Sequence, residues 1–408
     1  MEKFFSKSLV ALVMTGVLAS SACDNAQRNA YMLAPDSAAP IGIANNPLNT
    51  AGYDWQWHNL SAISTVTGKE RRFFVEDFVI NPGLGGDQPI LGQLPANQAA
   101  GIKPSYGMVK AGTWGEDGVE INNFYGAHQV VGSTEVEDLH IGPNYATETA
   151  LFGSVSMSKA DAAAHPEYMS DAGTMSWNLT INKTMRFDMG YATSDIPRDL
   201  NLFTMAWEVA GLKAEYTGSI TYNGEVFTVT PDTSYGYADK NYGHDFTNPW
   251  IWFSSTRIVD ANGQYIRQAA LDVGGGRPEL LNLPLWKTAL VIFHINDKQY
   301  DFNFTKLWQN NSVKFNVTTT DPTSIIWDIA AENGTNRIEI LGQNPKSKML
   351  FVDYENPQGQ HNHKQLWNGG DCTSTIKVYD KAYKFFTPYW KLVGTYYGSY
   401  GGCEWGAY

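Results

Sequence analysis

Apolar and polar residues alternate along most of the chain in short runs separated by turn dipeptides. A period of two puts successive side chains on opposite faces of a strand, so the pattern predicts many half-buried antiparallel strands. The clearest run is Ser219-Ile220-Thr221-Tyr222, Asn223-Gly224, Val226-Phe227-Thr228-Val229. Its Asn-Gly pair supplies the two positive-φ residues that a tight hairpin turn needs. Asn262-Gly263 before Tyr265 to Val273 repeats the signal, and Leu290 to Ile295 turns at Asn296-Asp297 into alternating Tyr300, Phe302 and Phe304. One stretch reads differently: Ser158-Lys159-Ala160-Asp161 is a capping-box-like start before an alanine run that Pro166 limits, which predicts a short connecting helix.

Length turns this pattern into an architecture. The chain has 408 residues, more than one hydrophobic core usually serves, so two domains are expected, at 50–228 and 229–408. Composition agrees with sheets: 22 Tyr, 19 Phe and 13 Trp beside 38 Gly suit pleated strands with tight turns better than helices. The fold class expected is all-β. A net charge of -12 argues against nucleic acid as a partner, because phosphate-binding surfaces need clustered Lys and Arg.

The N-terminus changes the expected location. Lys3 and Lys7, an apolar core from Leu9 to Leu18 and the small residues Ser20-Ser21-Ala22 form a signal peptide over 1–22. The Ala-, Asn- and Pro-rich stretch 23–49 reads as a flexible tether. Export to the periplasm or cell envelope is the expectation. Cys23 follows the cleavage site and leaves two readings open: lipid on its sulfur attaching the chain to a membrane, or ordinary cleavage after Ala22. If Cys23 is lipidated, Cys372 and Cys403 form an even pair that a disulfide can join in an oxidising compartment.

Several chemistries lack their signatures. There is no G-x-S-x-G elbow and no H-E-x-x-H; Gly274-Gly275-Gly276 is a plain run, unlike the spaced dinucleotide fingerprint. His361-Asn362-His363 reads as a polar turn, and no metal is assigned. What stands out is Tyr237-Ala238-Asp239-Lys240-Asn241-Tyr242-Gly243-His244-Asp245-Phe246 followed by Pro249-Trp250-Ile251-Trp252-Phe253. A carboxyl walled in by aromatic surface has its charged form desolvated, so Asp239 is the candidate proton donor near neutrality. Trp250 and Trp252 fall on one strand face, where ring faces attract a positive centre. A plainer reading of the same residues is an Asp-Lys-Asn corner with an internal ion pair, followed by an aromatic core strand.

The run Ser234 to Phe253, SYGYADKNYGHDFTNPWIWF, resembles the tocopherol cyclase signature. KPSYGMVKAGTWG (Lys103 to Gly115), AAAHPEYMSDAGTMSWNLTINK (Ala162 to Lys183), DVGGGRP (Asp272 to Pro278), LWNGG (Leu366 to Gly370) and GCEWGAY (Gly402 to Tyr408) are similar to bacterial members of that family. A departure is Tyr242, where Trp is usual. The resemblance implies two packed lipocalin-like β-domains, related to carotenoid hydratase and Diels-Alderase type proteins, with a ligand cavity between or within the halves. It also implies closure of a chromanol ring: a prenyl alkene of a hydroquinone is protonated and the phenolic oxygen traps the tertiary cation. Asp239 is then the acid, and Lys240 and Asn241 orient it or the ring oxygens. Tyr242, Trp250 and Trp252 line the cation, and Tyr237 and His244 complete the wall. Trp177, and Asp272 with Arg277, are second-rank candidates, with core packing for Trp177 and a strand-end Arg277–Asp272 ion pair as their plainer readings; Glu404-Trp405 reads as a terminal strand sealing a barrel. No cofactor is implied, because protonation and capture move no electrons, and the partner is a hydrophobic small molecule. A non-catalytic carrier of a quinone or isoprenoid, or a related pericyclase or hydratase, is the alternative.

Overall fold

The computed structural model describes residues 52–187, 204–280, 283–304, 306, 310–359 and 366–407. The signal peptide, the tether, Cys23, His361 and His363 lie outside these residues. The alternating runs form antiparallel strands in two large sheets, one of 12 strands between Tyr53 and Gly243 and one of 11 between Trp250 and Gly406. The expected all-β class is the one observed, with the two large sheets packed against each other.

The hairpin chemistry places its turns where Asn-Gly requires them. Tyr222 pairs with Glu225 across Asn223 and Gly224, both at positive φ. Ile295 pairs with Lys298 around Asn296 at φ 50°. After Asn262-Gly263 the strand begins at Ala269 rather than Tyr265, because Tyr265 makes only an isolated bridge to Val259. The expected helix spans Lys159–Ala164, with the Ser158 hydroxyl accepting from the Asp161 backbone N–H at 3.0 Å. Cys372 and Cys403 form a disulfide between the long strands Leu366–Lys384 and Thr387–Gly406. The change of sheet falls between Gly243 and Trp250, downstream of position 229, where the sequence reading began the second domain. The strand Gly236–Gly243 pairs back onto Tyr53–Asn59 and Met205–Ala214 and so completes the first sheet.

Three apolar cores result. One lies within the first sheet around Leu60, Phe73, Trp177 and Tyr216, another within the second around Phe253, Phe293 and Trp327. The third lies between the sheets and is largely aromatic, with Trp55, Trp57, Trp114, Tyr237, Trp250, Trp252 and Tyr354. The period of two explains this partition. On the strand Tyr53–Ser64, Tyr53, Trp55 and Trp57 join the core between the sheets, while Leu60 and Ala62, in the other phase, join the first sheet's own core. Both faces are buried, so this strand reads as a nearly continuous buried run.

Candidate active site

The site lies where the two sheets face each other. On Gly236–Gly243, Tyr237, Asp239 and Asn241 share a phase, and Ala238, Lys240 and Tyr242 take the other. On Trp250–Ser255, Trp250 and Trp252 join the core between the sheets, whereas Ile251 and Phe253 join the second sheet's core. Neighbouring strands repeat the division: Ala270 against Leu271 and Val273, and Ile292 against Val291 and Phe293. A cleft opens at this junction, walled by Trp55, Trp57, Trp207, Trp250 and Trp252, with Leu290 and Phe304, and with Asp239, Asn241, Thr247 and Glu404 as its polar side chains.

The indoles fix one another. Trp55 stacks on Trp250 with ring centroids 5.4 Å apart, and Trp57 meets Trp252 edge-on at 6.1 Å. Two glycines make room for the rings: a Cβ on Gly274 would sit 2.5 Å from Trp207, and one on Gly402 would sit 2.2 Å from Trp252. No side chain fits at either position without moving a tryptophan.

Asp239 is held by one oxygen and open at the other. Its Oδ2 accepts the Trp207 Nε1–H at 2.7 Å and lies 2.9 Å from the Tyr237 hydroxyl. Its Oδ1 is buried and has no hydrogen-bond partner among the described residues. Burial raises the Asp239 pKa to about 7, against the opposing effect of the Trp207 and Tyr237 hydrogen bonds. Tyr237 also lies 2.8 Å from Asp272 Oδ2, while Asp272 Oδ1 accepts from Trp252 Nε1 and from the Val273 backbone N–H, each at 3.0 Å. A hydroxyl carries one proton. Tyr237 therefore cannot donate to both carboxylates, and the two contacts are both hydrogen bonds only when one carboxyl is protonated. Burial, and then the neighbouring Asp239 charge, push Asp272 well above the usual carboxylate range, which places a proton on this Asp272–Tyr237–Asp239 chain.

Glu404 is a second carboxyl in the cleft. Trp250 Nε1 donates to its Oε2 at 2.7 Å and Asn368 Nδ2 to its Oε1 at 2.6 Å, and Asn368 in turn accepts from Trp114 Nε1 at 2.6 Å. Burial outweighs these two donors and lifts Glu404 to about 8.

The structure brings Asp239, Asn241, Trp250 and Trp252 together in the cleft, with Tyr237 directly behind Asp239. It takes other expected residues elsewhere. Lys240 points into the first sheet's interior, where it is ion-paired with buried Asp54, so it does not orient Asp239; adjacent strand residues face opposite ways. Tyr242 shares that phase, is buried, and has the Lys240 ammonium 5.7 Å from its ring centroid, so it does not wall the cleft. His244 is half-buried beyond the strand end and outside the cleft lining. Trp177 packs in the first sheet's core. Arg277 is exposed, whereas Asp272 is fully buried among Tyr237, Trp252 and Val273, so the expected strand-end ion pair is replaced by the hydrogen-bonded chain. Trp207 and Glu404 enter the site without having been singled out for it. For Glu404 a signal was present: a carboxyl between Cys403 and Trp405, which both serve the second sheet's core, must face the opposite side.

The chain matches the tocopherol cyclase-like family over residues 119–365. No curated protein matches it significantly. The crystal structure of kievitone hydratase from Nectria haematococca is similar at 13% identity over 95% of this chain and 96% of that one, with a TM-score of 0.39. The family match extends over more than half of the sequence, and the chain belongs to the tocopherol cyclase-like family.

Proposed function

We propose that the protein closes a chromanol ring by protonating the prenyl alkene of a hydroquinone, with Asp239 as the acid. The observation carrying this reading is the Asp239 carboxyl itself: one oxygen anchored by Trp207 and Tyr237, the other without a partner among the described residues, in a cleft walled by five indoles. An acid with a pKa of about 7 is still a proton donor at neutral pH and strong enough to transfer that proton.

The chemistry balances without electrons entering or leaving. The Asp239 proton adds to the less substituted alkene carbon, leaving a tertiary cation. The phenolic oxygen forms a bond to that cation and releases its proton, which restores the carboxyl. The indole faces shelter the cation, each contributing about 0.5 to 2 kcal/mol depending on desolvation. Trp55 and Trp57 line the cleft with buried Nε1–H groups lacking partners among the described residues, and these suit the quinol oxygens as donors. Behind the acid, Tyr237 lies within hydrogen-bond distance of both Asp239 and Asp272, so its hydroxyl donates to Asp239 while that carboxyl is ionised, until the phenolic proton returns to it. Membership in the tocopherol cyclase-like family supports this class of chemistry.

Asp239→Asn keeps the acceptor that Trp207 uses and removes the acidic proton. The expected result is loss of turnover on a reduced prenylated methylquinol, with saturable quenching of tryptophan fluorescence retained. Turnover equal to the parent's would overturn the assignment. Binding without turnover in the parent as well would favour a lipophile carrier.

A further inference from the structure

The strands Leu366–Lys384 and Thr387–Gly406 form a hairpin whose far end leaves the body of the protein. Pairing with the neighbouring strand Asn336–Pro345 stops at Asp380, and the hairpin continues as a two-stranded ribbon from Lys381↔Trp390 to Lys384↔Thr387. Its tip is Phe385-Phe386, with φ of 47° and 68°. A two-residue turn with both residues in the left-handed region favours Asn-Gly, and two phenylalanines there are conformational outliers. These rings are also 89% and 98% exposed, and Tyr383 and Tyr389 beside them 66% and 47%. Neither local geometry nor packing within the chain accounts for two aromatic residues at this turn, so their use lies outside the chain.

Charge narrows what they meet. The chain carries a net -12, yet residues 377–391 hold Lys377, Lys381, Lys384 and Lys391 against Asp380 alone, with all four lysines exposed. Phenylalanines at the extreme end, tyrosines behind them and lysines behind or beside those follow the order of hydrocarbon, interface and anionic headgroup across a leaflet. Strand addition by a second copy is disfavoured, since Lys384 and Pro388 blunt the edges of the ribbon.

We infer that the Phe385-Phe386 tip inserts into the surface of a lipid bilayer containing anionic headgroups. This inference is independent of the chemistry in the cleft. Glu404 stands at the opposite end of the same hairpin, so the tip holds the protein at the membrane without forming part of the site.

The test compares the full chain with its Phe385→Asn/Phe386→Gly variant, both carrying Cys23→Ser so that lipid on that residue contributes nothing. Flotation is measured on vesicles of phosphatidylcholine mixed with phosphatidylglycerol. Asn-Gly suits the turn, so the variant should melt no lower than the parent while partitioning at least about tenfold more weakly, as expected for loss of two inserted rings. A second variant, Lys384→Glu/Lys391→Glu, leaves the turn unchanged and should lose its preference for phosphatidylglycerol over pure phosphatidylcholine. Equal partitioning of the parent and the Asn-Gly variant overturns the inference. So does loss of a parent dimer in sedimentation velocity with vesicle binding unchanged, which would make the tip a self-association surface.

Discussion

Replacing Tyr237 by Phe removes one oxygen from between two carboxyls and leaves the ring packed against Trp252, whose centroid is 5.3 Å away. In the parent that hydroxyl lies 2.9 Å from Asp239 Oδ2, where it stabilises the ionised form. A hydrogen bond to a charged group contributes about 1.5 to 3 kcal/mol, and about 1.4 kcal/mol corresponds to one pKa unit, so the variant's Asp239 should titrate about one to two pH units higher. In the proposed reaction, turnover requires Asp239 in its protonated form. Parent activity should therefore fall as pH rises through about 7, the value to which burial lifts Asp239. In Tyr237→Phe the fall should move to about pH 8 to 9, with an acid-side plateau lowered about tenfold because the acid is weaker. The assay is the pH profile of single-turnover chromanol formation. A descending limb that stays in place, or moves to lower pH, would refute the reasoning that Tyr237 stabilises the charged form of Asp239.

Two further substitutions test the supporting wall. Gly274→Ala places a methyl group 2.5 Å from the Trp207 ring, so Trp207 must move and its 2.7 Å bond to Asp239 must lengthen. A stability loss of about 1 to 3 kcal/mol is expected from such overpacking, with a larger fractional loss in kcat than in substrate binding; unchanged kcat would contradict the role given to Trp207. Glu404→Gln keeps shape but offers one acceptor where Trp250 and Asn368 both donate, while the Asn368 oxygen is already committed to Trp114. Chemical denaturation above about pH 8, where Glu404 is ionised and both its oxygens accept, should register a loss of about 1 to 3 kcal/mol from the donor left unpaired, and an unaltered midpoint there would mean that Glu404 does not organise this side of the cleft.

The fold was legible because its signals are local. Asn223-Gly224 dictates a hairpin through backbone conformation alone, and Ser158 caps its helix with a side chain three residues from the N–H it accepts. The buried carboxyl was legible for a related reason: Asp239 sits within a dense aromatic segment, and its burial is implied by its sequence neighbours. Lys240 and Tyr242 were misplaced by treating that segment as one cluster, whereas a strand sends alternate residues to opposite faces. Trp207, Asp272 and Glu404 come from three other strands, and only the pairing of Trp250–Ser255 with Ala269–Gly276 and Thr387–Gly406 brings the last two beside the tryptophans. Such long-range register leaves no mark at a single position. Gly274 and Gly402 were visible as glycines, but the rings they accommodate were not.

The central claim is that a proton delivered by Asp239 ends on carbon, and the most direct measurement follows that proton. Parent protein equilibrated in D₂O is given a reduced prenylated methylquinol under anaerobic conditions, and the product is analysed by mass spectrometry and chiral chromatography. The account predicts a single chromanol enantiomer carrying one deuterium, on the ring carbon next to the newly formed C–O bond and on one face only. Recovered quinol, a racemic chromanol, or a product without solvent-derived deuterium at that carbon would contradict it.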